Sequence, residues 1–283
     1  MATTPLQEKR IELAERVIAN RFKEGRGSGS GRNYLPFITV RDFPSAGRVH
    51  RLPSATVGRV HHLLSDLEHH VFCQLDWHSS VVDIREQFPI ARDDSRAIAD
   101  KLGIAHPSFN GVDQVVTTDF IVDLNHEGKF SRKAISAKYA EELDDPRVLE
   151  KLELERCYWL EKDIAFYIVT ELEIPKTLLE NIKWILPFLT SSTLKASEIK
   201  EYFLIIDKAK QHYPTQKISV ITSKLDDDYN LASGTHLSVL RHLLAQRAFS
   251  FDMMNTSVKS LVGQDLIPSE FWKTDQYEYV IGE

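Results

Sequence analysis

The chain has 283 residues, 42% of them hydrophobic and 27% charged, with two cysteines and a formal net charge of −6. That profile suits a soluble protein of two domains, and no stretch approaches the roughly 18 apolar residues of a membrane span. The charged amino terminus lacks an apolar signal-peptide core, and Cys73 and Cys157 alone exclude a disulfide framework or a cysteine-rich zinc module, so the cytoplasm is the expected location.

Residues 1–60 hold eleven Lys and Arg against five Asp and Glu, on a chain that is acidic as a whole. A basic arm on an acidic body suits contact with DNA at one place, although a solvated terminal helix with a charged loop would look the same. Leu6–Phe22 reads as an amphipathic helix, with Leu6, Ile11, Leu13, Val17 and Ile18 on a loose apolar face. Gly25-Arg26-Gly27-Ser28-Gly29-Ser30-Gly31-Arg32 lacks the Gly-Lys-Ser/Thr ending of a nucleotide P-loop. A flexible basic linker is expected there, either inert or approaching phosphates through amides and arginines.

From Val60 the spacing of Val60, Leu64, Leu67, Val71 and Leu75 predicts a helix. Val81–Phe88 alternates like a strand and stops at Pro89. Val112–Asp123 is a second alternating strand, Asn125–Gly128 a turn, and Lys133–Tyr139 a third strand. Asp144–Lys162 is a charged helix carrying Val148, Leu149, Leu152, Trp159 and Leu160. Ile164–Thr170 is a nearly continuous apolar run, as in a strand covered on both faces. Beyond Pro175 helical patterns dominate, at Leu178–Leu189, Ala196–His212 and His236–Ala248, and Ala248–Met253 reads as a small strand pair. The expected fold is α/β: a mixed central sheet flanked by helices over residues 1–171, then a mostly helical, winged-helix-like domain over residues 172–283.

The period-two rule sets Val115, Thr117, Asp119 and Ile121 on one strand face, and Ala134, Ser136 and Lys138 on one face of the next. A lone carboxylate among apolar neighbours is costly. Pairing around Gly128 brings Asp119 opposite Lys138 to within a residue or two, which by itself fits a half-buried ion pair. Glu68, beside the stripe Leu64–Leu67–Val71, can point along the same sheet edge. Two carboxylates and a lysine converging there fit a magnesium site for phosphodiester hydrolysis, because magnesium takes hard oxygen ligands and a lysine stabilises charge on phosphate.

This constellation resembles the PD-(D/E)XK nucleases, with Asp119 as first acid and Ser136-Ala137-Lys138 in place of the degenerate (D/E/Q)-X-K. A longer and more specific match runs from about Phe22 to Glu171. It comprises Lys23-Glu24-Gly25-Arg26-Gly27, Gly58-Arg59-Val60-His61-His62-Leu63-Leu64-Ser65-Asp66-Leu67-Glu68, Asp83-Ile84-Arg85-Glu86-Gln87-Phe88-Pro89, Gly111-Val112-Asp113-Gln114-Val115, Thr118-Asp119-Phe120 and Leu149-Glu150-Lys151-Leu152-Glu153-Leu154-Glu155-Arg156. In these runs the chain resembles the TnsA endonucleases of Tn-seven-like transposons, and the part beyond residue 171 resembles the family's second domain in length and helical character.

The resemblance implies a restriction-endonuclease-like fold and a Mg²⁺-dependent DNA endonuclease, with Mn²⁺ as a substitute ion. Its product would be cleavage at the 5′ ends of the transposon, made alongside a DDE-type TnsB partner that cuts and joins the 3′ ends. It further implies contact with a TnsC-type AAA+ ATPase through residues 172–283. Carried over, Glu68 is the helix acid, Asp119 the central acid and Lys138 the catalytic lysine. The family pattern has Gln-X-Lys where this chain has Ser136-Ala137-Lys138. A Ser hydroxyl is shorter than a Gln amide and reaches a metal only through a water, so the Ala137 carbonyl is the better third ligand. Two rival readings are a stand-alone restriction or repair nuclease of the same fold, and an assembly subunit with a decayed site.

Other residues have weaker claims. Glu86 points inward, toward a supporting or second-metal role or an ion pair with Arg85 or Arg59. Gln87, on the opposite strand face, reads as a surface glutamine or a contact to the nucleic-acid backbone. Glu155 either supports the site or lies on a solvated face. Arg26, Arg32, Arg59, His61 and His62 are candidate DNA contacts. His61, His62, His69 and His70 do not assemble a zinc site on one helix, because His62 and His69 would stand about 10 Å apart.

Overall fold

Alternating and 3.6-period segments in the sequence become a mixed sheet with helices on both sides. The computed structural model describes residues 5–42, 48–189 and 195–273, and the chain divides into two compact units between Ile174 and Pro175.

The first unit opens with α1 (Pro5–Lys23), followed by the hairpin β1 (His50–Pro53) and β2 (Val60–Leu63) and by α2 (Asp66–Trp77). Next come β3 (Val81–Pro89), α3 (Arg92–Leu102), the short hairpin β4 (Ser108–Phe109) and β5 (Val112–Asp113), and β6 (Thr117–His126). β7 (Lys129–Ala137), α4 (Pro146–Glu161) and β8 (Ala165–Val169) complete it. The sheet order is β3-β6-β7-β8, with β3, β6 and β7 antiparallel and β8 added parallel to β7 through the α4 crossover. Ile90, Ile98, Ala99, Ile121, Ala134, Leu154, Tyr158 and Trp159 form the core beneath α3 and α4. The alternate residues Ile84, Phe120, Val122 and Ile135 are buried on the other side, where α2 contacts β3 and β7. Each fully buried side chain of this size contributes about 1.5–3 kcal/mol.

Several expectations are corrected. The helix predicted from Val60 begins at Asp66, because Val60–Leu63 pairs with β1 and Ser65 caps the helix by accepting from the Glu68 amide. The strand predicted over Val112–Asp123 is two strands. Asn110 and Gly111, both with left-handed φ, turn β4 back into β5, and β6 starts afresh at Thr117. The helix α3 was not foreseen, although Gly103 at φ 68 ends it in a left-handed cap. β8 is an edge strand rather than one covered on both faces, with Tyr167 45% exposed. The Asn125–Gly128 turn is borne out: Glu127 and Gly128 both have positive φ and close a two-residue loop between His126 and Lys129.

The glycine-rich segment is not a free linker. Gly27 at φ 76 lies so close to Pro89 that a Cβ would run into its ring, and a Cβ on Gly29 would come within 2.6 Å of the Asn33 carbonyl oxygen. The Gly31 amide donates to Asp83 at 3.0 Å. These close approaches bind the loop to β3.

The second unit holds α5 (Lys176–Ile185), α6 (Ala196–His212), α7 (Ile218–Asp228), α8 (Thr235–Ala245), the ribbon β9 (Phe249–Ser250) and β10 (Ile267–Pro268), and α9 (Glu270–Lys273). α5 stops early because Pro187 sits in the 3₁₀ turn after it. Ala248–Met253 does not pair with itself; Phe249 and Ser250 pair with Pro268 and Ile267. α7 was unforeseen, although Ile218, Ile221, Thr222 and Leu225 are buried on one helical face. Phe203 packs on Phe249 with ring centroids 4.7 Å apart. Helices with a two-stranded ribbon match the expected winged-helix-like character.

Candidate active site

The edge of the sheet formed by the ends of β3, β6 and β7 gathers the chemistry. Glu68 is the third residue of α2, where Ser65 and Glu68 hold each other. The Ser65 hydroxyl accepts from the Glu68 amide at 3.0 Å and donates to its carboxylate at 3.2 Å, while the Leu64 amide donates to Glu68 Oε2 at 2.9 Å. Ser65-Asp66-Leu67-Glu68 is thus a helix-start signature that also aims an acid at the sheet.

Asp119 lies near the start of β6. Its Oδ2 accepts from the Ala137 amide at 2.8 Å and from Lys138 Nζ at 3.2 Å. Lys138 stands one residue past β7, donates to the Ala137 carbonyl at 2.9 Å, and is anchored by its own amide to Val169 of β8. Glu68, Asp119, the Ala137 carbonyl and Lys138 therefore meet in one place.

Gln87 is the residue that sequence reasoning misplaced. It is buried, and its amide nitrogen donates to Glu68 Oε2 at 3.3 Å and to Asp119 Oδ1 at 3.2 Å, while its carbonyl oxygen accepts from Thr117 at 3.0 Å. The reason is backbone geometry. Gln87 has φ 49, a left-handed value rare in a strand. It sits between the pairs Glu86↔Phe120 and Phe88↔Thr118, across from Asp119. Strict alternation fails there. Ile121 packs against Leu154 and Trp159, yet Thr118, three residues away, also bonds to α4 through Glu155 and Trp159. Of the face expected for Asp119, Thr117 joins it at Gln87, whereas Ile121 lies in the core cluster with Leu154 and Trp159.

Ser136 turns from the carboxylates Glu68 and Asp119 toward α4, where its hydroxyl donates to Glu155 Oε2 at 2.7 Å; Thr118 donates to the same oxygen at 2.9 Å. Glu155 is buried, not on a solvated face. Burial, with the charge of Asp119 behind it, pushes its carboxyl up to about 7. The same two causes raise Glu68 to about 8. Lys138 is raised above the ordinary lysine value, chiefly by Asp119.

Glu86 takes no part in this cluster. It is 0% exposed and receives bonds from Arg59, from His61 Nδ1 at 2.7 Å and from the His62 amide at 3.0 Å. Burial pushes its carboxyl up, but Arg59 and His61 outweigh it and hold the group at about 2. Of the two ion-pair partners weighed for Glu86, Arg59 is the observed one; Arg85 pairs with Asp83 and Asp123. Arg59 and His61 thereby have their side chains committed to Glu86, at 8% and 0% exposure, and His61 packs on Phe72. Arg26 is tied to Glu24 and Asp42. His62 is half-buried and lines, with Arg26, Arg41 and Arg51, a cleft of about 380 Å³. Arg32 is exposed beside Gly58.

A mixed sheet flanked by helices, with acids and a lysine at one edge, is a restriction-endonuclease-like arrangement. Residues 78–171 match the family model described as TnsA-like endonuclease N terminal, and residues 173–253 that described as TnsA endonuclease C terminal. The chain is 43% identical over 268 residues to the transposon Tn7 transposition protein TnsA of Escherichia coli, covering 95% of this chain and 97% of that one. The chain belongs to the TnsA endonuclease family. Among the described residues no helix is long and apolar enough to cross a membrane.

Proposed function

We propose that this endonuclease hydrolyses DNA phosphodiesters at the 5′ ends of a transposon, using Mg²⁺ held by Glu68, Asp119 and the Ala137 carbonyl. One observation carries the reading: Asp119 accepts from Lys138, and a single Gln87 nitrogen joins Asp119 to Glu68. The donor set fits a hard cation, being two carboxylates and a carbonyl with no sulfur or imidazole among them. Burial first, and the charge of Asp119 second, raise Glu68, and a divalent ion beside the two carboxylates would favour its ionised form. When bound, the ion supplies Lewis-acid polarisation of the phosphate and a more acidic water.

The residues of the chain do the rest. Gln87 holds the two acids at a set spacing. Lys138 spends two of its three donors on Asp119 and Ala137, and the third serves the phosphate or the attacking water. Ser136 takes no ligand role in this reading, since its hydroxyl is committed to Glu155. Residues 1–171 would be the nuclease domain. Residues 172–283 would dock partners, including a TnsC-type AAA+ ATPase, while a TnsB-type DDE transposase processes the 3′ ends. Arg26, Arg32 and His62 would stand nearest the DNA backbone.

The test is cleavage of donor DNA bearing transposon ends, in Mg²⁺, with the TnsB- and TnsC-type partners of the same element. Wild type should break the 5′ ends, while Asp119→Ala and Lys138→Ala leave only 3′ nicks. Equal products from all three proteins would overturn the site and favour an assembly subunit with a decayed centre. Efficient cutting by the wild-type chain alone would instead identify a stand-alone nuclease of the same fold.

A further inference from the structure

A second cluster of metal-ligating side chains lies on the same helix as Glu68 but on another face. His50 opens β1 and is paired in register with Leu63, the last residue of β2, just before the turn into α2. Asp66 and His69 are three apart in the first turns of α2, so they are neighbours on the helix surface. His50 Nε2 lies 2.7 Å from Asp66 Oδ1. The rings of His50 and His69 have centroids 4.3 Å apart. One ligand atom from each of His50, Asp66 and His69 lies within 4.8 Å of the others. Among the described residues this is the one group of three or more such side chains that meets so closely.

We propose that His50, Asp66 and His69 form a binding site for a zinc-class transition-metal ion, separate from the oxygen-lined catalytic centre. Two imidazoles and one carboxylate are the ligand types such ions take, with bonds near 2.0–2.2 Å, and three protein ligands leave a fourth position for water. Tetrahedral ligand atoms at those bond lengths stand about 3.3 Å apart. The present spacing, within 4.8 Å, is about 1.5 Å wider than that at most. His50 is 16% exposed and Asp66 41% exposed at the side chain, so an ion has a path in from solvent. A hard ion such as Mg²⁺ prefers the carboxylates and carbonyl around Asp119, and an imidazole pair selects the softer one.

An ion pair joins His50 to Asp66, and a metal would engage His50, Asp66 and His69 together. Its structural effect is to staple the β1–β2 hairpin to the first turn of α2, the turn that Ser65 caps and that carries Glu68. The ligands come from residues sixteen and nineteen positions apart along the chain, which is why the spacing of histidines on a single helix did not reveal the site.

The test uses the full-length chain and Zn²⁺ alone, titrated calorimetrically without Mg²⁺, with Co²⁺ absorption as a second readout. Wild type and Asp119→Ala should each bind Zn²⁺ at this site with equal affinity. Co²⁺ should give the visible bands of a nitrogen-ligated, low-coordinate ion. His69→Ala should weaken that binding at least 100-fold with an unchanged circular dichroism spectrum, and His69→Cys should restore most of it. The proposal is overturned if His69→Ala binds Zn²⁺ as wild type does, if Asp119→Ala is the variant that loses it, or if wild type binds none.

Discussion

Ser136 donates its hydroxyl to Glu155 at 2.7 Å, and both residues are buried. The bond commits the side chain at the position where the family pattern has glutamine. The third oxygen beside Asp119 is thereby left to the Ala137 backbone. Ser136→Ala should then keep 5′-end cleavage within about threefold of wild type. It should lower stability in urea by about 1–2 kcal/mol, because Glu155 loses one of its two hydroxyl donors. A loss of cleavage near 100-fold without loss of stability would make Ser136 a metal ligand.

Gln87 bridges Glu68 and Asp119 through one amide nitrogen. Groups that orient metal ligands typically cost 10–100-fold when removed. Gln87→Ala should lower cleavage by that order and raise the Mg²⁺ concentration needed for half-maximal rate. Gln87→Glu should fare no better, since it adds a third negative charge beside two acids. If Gln87→Ala changes stability alone, with the Mg²⁺ dependence unmoved, the residue is only structural.

Glu86 lies in a buried network with Arg59 and His61, and its carboxyl is held at about 2 against an ordinary 4.5. A depressed carboxyl contributes stability that is present above the unfolded value and lost as pH falls through the folded one. Glu86→Ala should cost about 3–5 kcal/mol at pH 7, since it strands Arg59 in the interior. The stability gap between wild type and Glu86→Gln should shrink as pH falls from 5 toward 2. Urea unfolding across that range measures it, and a gap independent of pH would refute the ion pair as its source.

Glu68 and Glu155 behave in the opposite sense. Both carboxyls are raised, to about 8 and about 7. Their contribution is fully present below about 4.5 and is lost as pH rises through those values. Metal-free protein should therefore lose thermal stability between pH 5 and pH 8. Mg²⁺ should restore more of it at pH 8 than at pH 6, because binding there displaces fewer protons. Melting curves with and without EDTA follow this directly. An equal Mg²⁺ effect at both pH values would detach the ion from Glu68.

Much of this molecule is legible in one dimension. Period-two and 3.6-period patterns located β3, α4 and α6 closely and caught the second half of β7, and the turn residues Glu127 and Gly128 marked the central hairpin. The helix expected from Val60 failed because apolar spacing cannot tell a strand running into a helix from one continuous helix. The Ser65–Glu68 cap was the overlooked signal. Similarly, the loop around Gly27 reads as flexible from composition, but its tie to Pro89 depends on a contact far away in the chain.

What the sequence by itself determined, from residue type and local period, is the course β3, β6, β7, α4 and β8 in the first unit. Its resemblance to the TnsA endonucleases supplied the family and the choice of Glu68, Asp119 and Lys138 as the residues to watch. Local period needs no knowledge of distant neighbours, and the resemblance rests on runs of residues read in one order. Only the tertiary structure decided that Gln87 joins the acids, that Ser136 belongs to Glu155, that Arg59 and His61 are committed to Glu86, and that His50 meets His69. The place of Gln87 follows from its left-handed φ, which breaks the side-chain alternation that a local pattern must assume; the other three join residues distant in the chain, so no local pattern contains them.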